Sequence, residues 1–144
     1  MIAVDSNILV YAHREESPHN AAATRALEEL GRGGIQLALP WPCIHEFYAV
    51  VTNPRIHKPP TSVRVALEAV ASLVDADNTI LIAETDRHWE VLRTLVVGSR
   101  VLGPSIHDAR IAAICLEHGV RELWSADRDF SRFPALRVVN PLVG

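Results

Sequence analysis

The chain has 144 residues, 49% of them aliphatic, aromatic or cysteine and 22% charged, with a formal net charge of −3. That length allows one domain, residues 1–144, with a substantial core; the composition excludes a disordered or low-complexity chain, and the charge gives no support for a nucleic-acid partner gripped by the surface as a whole. No apolar stretch approaches the roughly 18 residues of a membrane span, no basic segment precedes the first apolar run, and Asp5 interrupts it, so the expectation is a cytoplasmic protein with no membrane association.

In chain order, Ile2–Val4 reads as a short buried strand, with Asn7 as the cap of a helix through Leu9 and Tyr11. Ser17-Pro18 sets a capping residue before a proline at the first helical position, opening a helix through Ala21–Leu30 that stops at Gly31, Gly33 and Gly34. Ile35–Leu39 is the second strand. Pro42 starts the helix PCIHEFYAVVT, which ends before Asn53-Pro54; after the loop RIHKPP, Thr61 caps the amphipathic helix SVRVALEAVASLV. Thr79–Ala83 is the third strand and Asp86–Val97 a helix. Beyond Gly103-Pro104, HDARIAAICLEHG forms a helix closed by Gly119, and Glu122–Trp124 and Arg137–Val139 are the last strands. Short apolar strands alternating with helices predict an α/β fold, a central parallel sheet covered on both faces. Such sheets bind ligands at the carboxyl ends of their strands.

Several carboxylates stand out on that frame. Asp5 follows the first strand directly, and Asp127 and Asp129 in SADRDF follow the fourth, so both groups fall on the edge where an α/β sheet places its site. Glu46 is the only formally charged residue between Gln36 and Arg55, in a helix apolar on nearly all sides, a pattern that predicts burial. Asp108 follows seven uncharged residues and opens the apolar run IAAICL. Each has a simpler alternative. Asp5 can cap the next helix, Glu46 can reach solvent, Ser105 and Asp108 match a capping box, and Asp127 and Asp129 can be ordinary turn residues. All four alternatives would have to hold together for the acids to be unrelated.

If the acids converge, they cannot all stay ionised without a cation. Oxygen ligands alone select a hard ion, Mg²⁺ or Mn²⁺, and the absence of a His/Cys ligand cluster argues against zinc. Mg²⁺ held by a few carboxylates takes phosphate oxygens as further ligands, which points to phosphoryl chemistry. Cys43 and Cys115 lie in apolar runs without metal-ligand spacing and read as buried free thiols. Arg14, Arg55, His57, Lys58, Arg128 and Arg132 are candidates to grip phosphates around the rim, while His45 and His107 read as packing or supporting groups.

The opening VDSNILVYA, the helical Glu46, the HDARIAA segment and the ending WSADRDFSRFPALRVVNPL resemble the PIN-domain superfamily, and specifically VapC-type toxins, over essentially the whole chain. The resemblance implies a three-layer α/β/α fold, a Mg²⁺- or Mn²⁺-dependent endoribonuclease acting on RNA, a homodimer, and a cognate VapB-type antitoxin. It carries an acidic quartet onto Asp5, Glu46, Asp108 and Asp127, with Asn7 beside Asp5 and Ser125 as a hydroxyl before the last acids. Of Asp127 and Asp129, the former is favoured because it lies nearer the strand end. Asp5 and Asp108 would hold the metal, and Glu46 and Asp127 would complete the site or bind a second ion. A phosphoacceptor domain would need a lysine at a strand end, and the only lysine, Lys58, lies in a loop; a P-loop enzyme would need a Gly-Lys signature that is absent. The remaining rival is a catalytically inert PIN-like module that binds RNA or a partner, which an incomplete quartet would favour.

Overall fold

Five short apolar segments pair in parallel in the computed structural model of the protein, which describes residues 1–143. In chain order the elements are β1 (Ile2–Val4), α1 (Ser6–His13), α2 (Asn20–Arg32), β2 (Leu37–Pro40), α3 (Trp41–Val51), α4 (Val63–Val74), β3 (Thr79–Ile82), α5 (His88–Ser99), α6 (Ile106–Glu117), β4 (Glu122–Trp124) and β5 (Arg137–Val139). Two 3₁₀ turns, Gly103–Ser105 and Arg128–Arg132, flank α6 and β4. The strand order is β3-β2-β1-β4-β5, with Ala3 beside both Ala38 and Leu123. The order therefore reverses at β1. The carboxyl ends of β1 and β4 open the crevice where such sheets place a ligand.

Alternation along the strands divides the core in two. Val4, Leu37, Leu39 and Trp124 pack with Ile8, Leu9, Phe47 and Val51 of α1 and α3. Ala3, Ala38, Ile82 and Leu123 pack with α5 and α6. The small residues at 3 and 38 meet Ala109, Ala112 and Ala113, so α6 seats close to the sheet and is buried along most of its length. This is the expected three-layer α/β/α arrangement.

Several element ends differ from the sequence expectation. Asp5, not Asn7, caps α1, and Asn7 lies inside its first turn. Ser62 rather than Thr61 caps α4, its hydroxyl accepting from the Val65 amide at 3.3 Å; Thr61 instead bonds His13 and Arg14. The residues Ser17-Pro18 form a turn ahead of α2, and Gly31 is absorbed into that helix, which ends with Gly33 as its C-cap. Trp41 takes the first helical position of α3, with Pro42 second. The second strand begins at Leu37, leaving Ile35 exposed, and α5 begins at His88, not Asp86. The expected end of α6 is met: Gly119 has φ +72°, a left-handed conformation that favours glycine. Among the described residues, no helix is long and apolar enough to cross a membrane.

Candidate active site

Asp5 leaves β1 and caps α1, its Oδ1 accepting from the Ser6 amide at 2.8 Å. Only 4% exposed, its carboxylate is also tied to β4: the Ser125 hydroxyl donates to Oδ2 at 2.7 Å. Asn7 Nδ2 reaches the same oxygen and Ser125 Oγ, both at 3.3 Å, and Asn7 Oδ1 accepts from the Ala126 amide at 3.3 Å. The Asp127 amide closes the set by donating to Ser125 Oγ at 3.0 Å. Burial pushes the Asp5 carboxyl above its ordinary value; the bonds from Ser125 and Ser6 oppose that shift, and the charge of Glu46 adds to it. Capping and membership of the cluster are thus one placement.

Asp108 sits in the first turn of α6. The capping box that Ser105 and Asp108 suggest does not form. Ser105 has helical backbone angles and makes no side-chain cap; its hydroxyl donates to the Leu102 carbonyl at 2.6 Å, and its amide also goes to that carbonyl. The Asp108 carboxylate, half-buried, instead faces acids. One oxygen each from Asp108, Asp127 and Asp129 lie within 4.8 Å of one another. Burial, then the charge of Asp127, then those of Asp5, Asp129 and Glu46, push the Asp108 carboxyl up to about 6. Asp127 also caps its 3₁₀ turn, its Oδ1 accepting from the Asp129 amide at 2.8 Å. The preference for Asp127 over Asp129 is not reflected in the geometry, since the turn brings both to Asp108.

Glu46 is exposed, against the expectation of burial. The buried residues of α3 are Cys43, Ile44, Phe47 and Val51, while Trp41, His45, Glu46 and Ala49 are left uncovered, so the apolar outer face of this helix records an open edge, not enclosure. Glu46 is nevertheless held at the cluster: the Ser6 hydroxyl donates to its Oε1 at 2.6 Å. Cys43, read from sequence as an inert core thiol, lies 3.6 Å from Asp5 Oδ1. Burial and then the Asp5 charge push that thiol well above 9.0, so it stays protonated and can donate. The signal available in the sequence was its spacing of three from Glu46 on one helix. Cys115 is buried and free as expected.

Among the described residues, no arginine, lysine or histidine pairs with Asp5, Glu46, Asp108, Asp127 or Asp129; the ion pairs all lie elsewhere. The rim cations divide accordingly. Arg14 is already committed, with Nε to Glu16 at 2.5 Å, one terminal nitrogen to Thr61 Oγ1 at 3.1 Å and the other to the Pro59 carbonyl at 2.9 Å. Arg132 donates to the Asp129 carbonyl at 3.2 Å, and Arg55, Lys58 and Arg128 are exposed. His57 is half-buried beside Glu16. His45 and His107, read from sequence as packing or supporting groups, are exposed; the His45 ring lies 6.0 Å from that of Trp41, and a cleft of about 270 Å³ beside Glu46 is lined by both histidines and Arg110.

Comparison with known proteins shows the family and the fold. Residues 2–136 match the family model of the PIN domain. The chain is 40% identical over 144 residues to VapC ribonuclease Mb2897 of Mycobacterium bovis and to ribonuclease VapC43 of Mycobacterium tuberculosis, covering all of this chain and 97% of each relative. Among solved structures, FitAcB from Neisseria gonorrhoeae superposes with a TM-score of 0.70 at 14% identity over the full length of both chains. VapBC2 from Rickettsia felis, solved with a promoter DNA fragment, gives 0.68 at 19% identity over 97% of this chain and 98% of that one. The Mycobacterium tuberculosis toxin VapC20, described as cleaving the sarcin–ricin loop, gives 0.66 at 17% identity over 91% and 93%. At these identities the structural likeness speaks for the fold.

Proposed function

Since the chain belongs to the PIN-domain family and has VapC ribonucleases as full-length relatives, we propose that it is a Mg²⁺- or Mn²⁺-dependent endoribonuclease, the toxin of a type II VapBC toxin–antitoxin pair. The observation that carries the proposal is a crevice where Asp5, Glu46, Asp108, Asp127 and Asp129 meet with no cation among the described residues paired to them, and where burial and then the neighbouring acids push Asp108 up to about 6. An all-oxygen donor set of this kind fits a hard divalent ion and not a soft one. Asp108, Asp127 and Asp129, whose oxygens lie together, would hold it, with Asp5 and Glu46 beside them. When bound, the ion supplies charge neutralisation at the scissile phosphate and lowers the pKa of water.

The chain's own groups supply position. Ser125 and Asn7 fix the Asp5 carboxylate by donating to Oδ2, Ser6 fixes Glu46 through Oε1, and the Asp127 turn orients two acids with one backbone bond. Such preorganisation places charge before substrate arrives and costs no rearrangement during the reaction. A VapB-type antitoxin, a homodimeric state and a cytoplasmic setting complete the proposal; the VapBC2 and FitAcB neighbours support an antitoxin partner by likeness of fold. The test is cleavage of single-stranded and structured RNA by the purified chain. Cleavage should vanish in EDTA and return with Mg²⁺ or Mn²⁺; full activity in chelator would overturn metal dependence.

A further inference from the structure

Glu46 separates the histidine-lined cleft from a second, larger cavity of about 450 Å³, within the roughly 300–1,000 Å³ of small-molecule sites. Its wall is mostly apolar, built from Val10, Tyr11, Val50 and Ile56. Ser6, Asn7 and Glu46 line it as well, and these same residues bond within the acid cluster, so the cavity borders the crevice. A strand of RNA lying with a phosphate at the acids has a base within reach of this cavity.

Two features mark it as made for a flat aromatic group. The first is Tyr11, held from behind: its ring lies 4.8 Å from the His19 ring at a tilt of 54°, and its carbonyl accepts from Asn20 Nδ2 at 2.9 Å. The second is the wall carrying Ile56, which leaves that side chain 55% exposed. The loop after it is pinned to the end of α1 by Arg14, which bonds Pro59 and Thr61. Polar groups at the wall, Ser17 and the Glu16 carboxylate, can accept from the edge of a base. A base paired in a helix cannot present both faces to such a pocket; an unpaired one can, and stacking on an aromatic side chain is how single-stranded RNA is commonly held.

We infer that this cavity receives one unpaired nucleobase of the RNA strand, next to the scissile phosphate, with Tyr11 and Ile56 as its contact faces. The inference rests on the ribonuclease proposal for the identity of the strand that enters. It assigns Tyr11 and Ile56 to the choice of cleavage site, apart from the acids that cut.

The experiment uses the full chain and a set of single-stranded RNA 12-mers, each carrying one 2-aminopurine at a successive position, with Ca²⁺ in place of Mg²⁺. One position should be quenched on binding, and the quench should fall severalfold in Tyr11→Leu and in Ile56→Ala, the latter altering an exposed side chain and serving if the former fails to fold. With Mg²⁺, an abasic residue at that position should lower wild-type kcat/KM roughly tenfold and lower that of Tyr11→Leu no further. RNA that binds without a position-specific quench, or a quench untouched by both substitutions, overturns the inference while cleavage stands, and gives the cavity to another occupant such as a partner's side chain. A localised, substitution-sensitive quench without cleavage in Mg²⁺ or Mn²⁺ supports the pocket and sinks the nuclease proposal. Absence of RNA binding overturns both.

Discussion

Asp108 shows how one carboxylate can be costly to a fold and still be kept. Its position in the first turn of a helix favours a negative charge, yet burial and the facing Asp127 push its carboxyl up to about 6. A side chain that only capped α6 would stabilise the protein; one crowded among acids destabilises the metal-free state. In Asp108→Asn the repulsion is removed, so the metal-free variant should melt at or above the wild-type temperature. Saturating wild type with Mg²⁺ or Mn²⁺ at a hundred times Kd should add about 2.7 kcal/mol, or roughly 5–10 °C for a chain of this size, and the variant should gain much less. Thermal melts of both proteins with and without metal decide it. Equal metal-induced shifts would return Asp108 to a purely local role.

At the scale of elements, α6 connects the acid crevice to the far side of the fold. Its other end carries Glu117, whose side chain is fully buried. The carboxylate accepts from the Thr85 amide at 2.9 Å, the Thr85 hydroxyl at 2.7 Å and His88 Nδ1 at 2.6 Å. Arg87 donates to the Glu117 carbonyl at 2.7 Å, and His118 Nε2 lies 2.7 Å from the Ala83 carbonyl. The last turn of α6 is thus clamped to the segment joining β3 to α5. Burial alone would raise the Glu117 carboxyl, but the bonds from His88 and Thr85 outweigh it and hold the group below its ordinary 4.5. A carboxylate with a depressed folded pKa contributes stability that is present above the unfolded value and lost as pH falls through the folded one. Glu117→Gln should therefore cost roughly 1.5–3 kcal/mol at pH 7, and its deficit relative to wild type should shrink as pH drops below about 4.5. Urea titrations at pH 7 and pH 4 measure the gap; a gap that widens in acid contradicts the assignment.

For the molecule as a whole, the sheet order places the end of β1 between β2 and β4, and the crevice is the geometric result. Net charge is −3, and Asp5, Glu46, Asp108, Asp127 and Asp129 meet at that crevice, while the ion pairs among the described residues lie elsewhere. Trp89, Val97 and Leu102 on α5 and the segment after it are 70%, 73% and 81% exposed, apolar side chains that a second copy of the chain would cover. That display supports the proposed homodimer. Sedimentation equilibrium at micromolar concentration should return twice the chain mass, and a single-chain mass across that range would remove the dimer from the proposal.

Much of this architecture is determined by local sequence, because periodicity and turn residues act over a few neighbours. The strand cores at Ile2–Val4, Glu122–Trp124 and Arg137–Val139, the closure of α6 at Gly119 and the parallel α/β class all follow from apolar runs and glycine placement. So does the suspicion attached to Asp5, Glu46 and Asp108, since an isolated charge in apolar sequence is costly unless something answers it. What those acids meet is a matter of long-range contact. Ser125 lies 120 residues from Asp5 and Ser6 lies 40 from Glu46, and no local pattern records either bond. Only packing shows that Asp5 caps a helix and joins the cluster at once, that the Ser105 hydroxyl turns back on Leu102 and leaves Asp108 facing acids, and that Glu46 stands at an open edge. The clamp on Glu117 was invisible for the same reason, and Cys43 left only its spacing from Glu46 as a trace: a side chain's partner is fixed by which elements the sheet order brings together, and that order is a property of the folded chain.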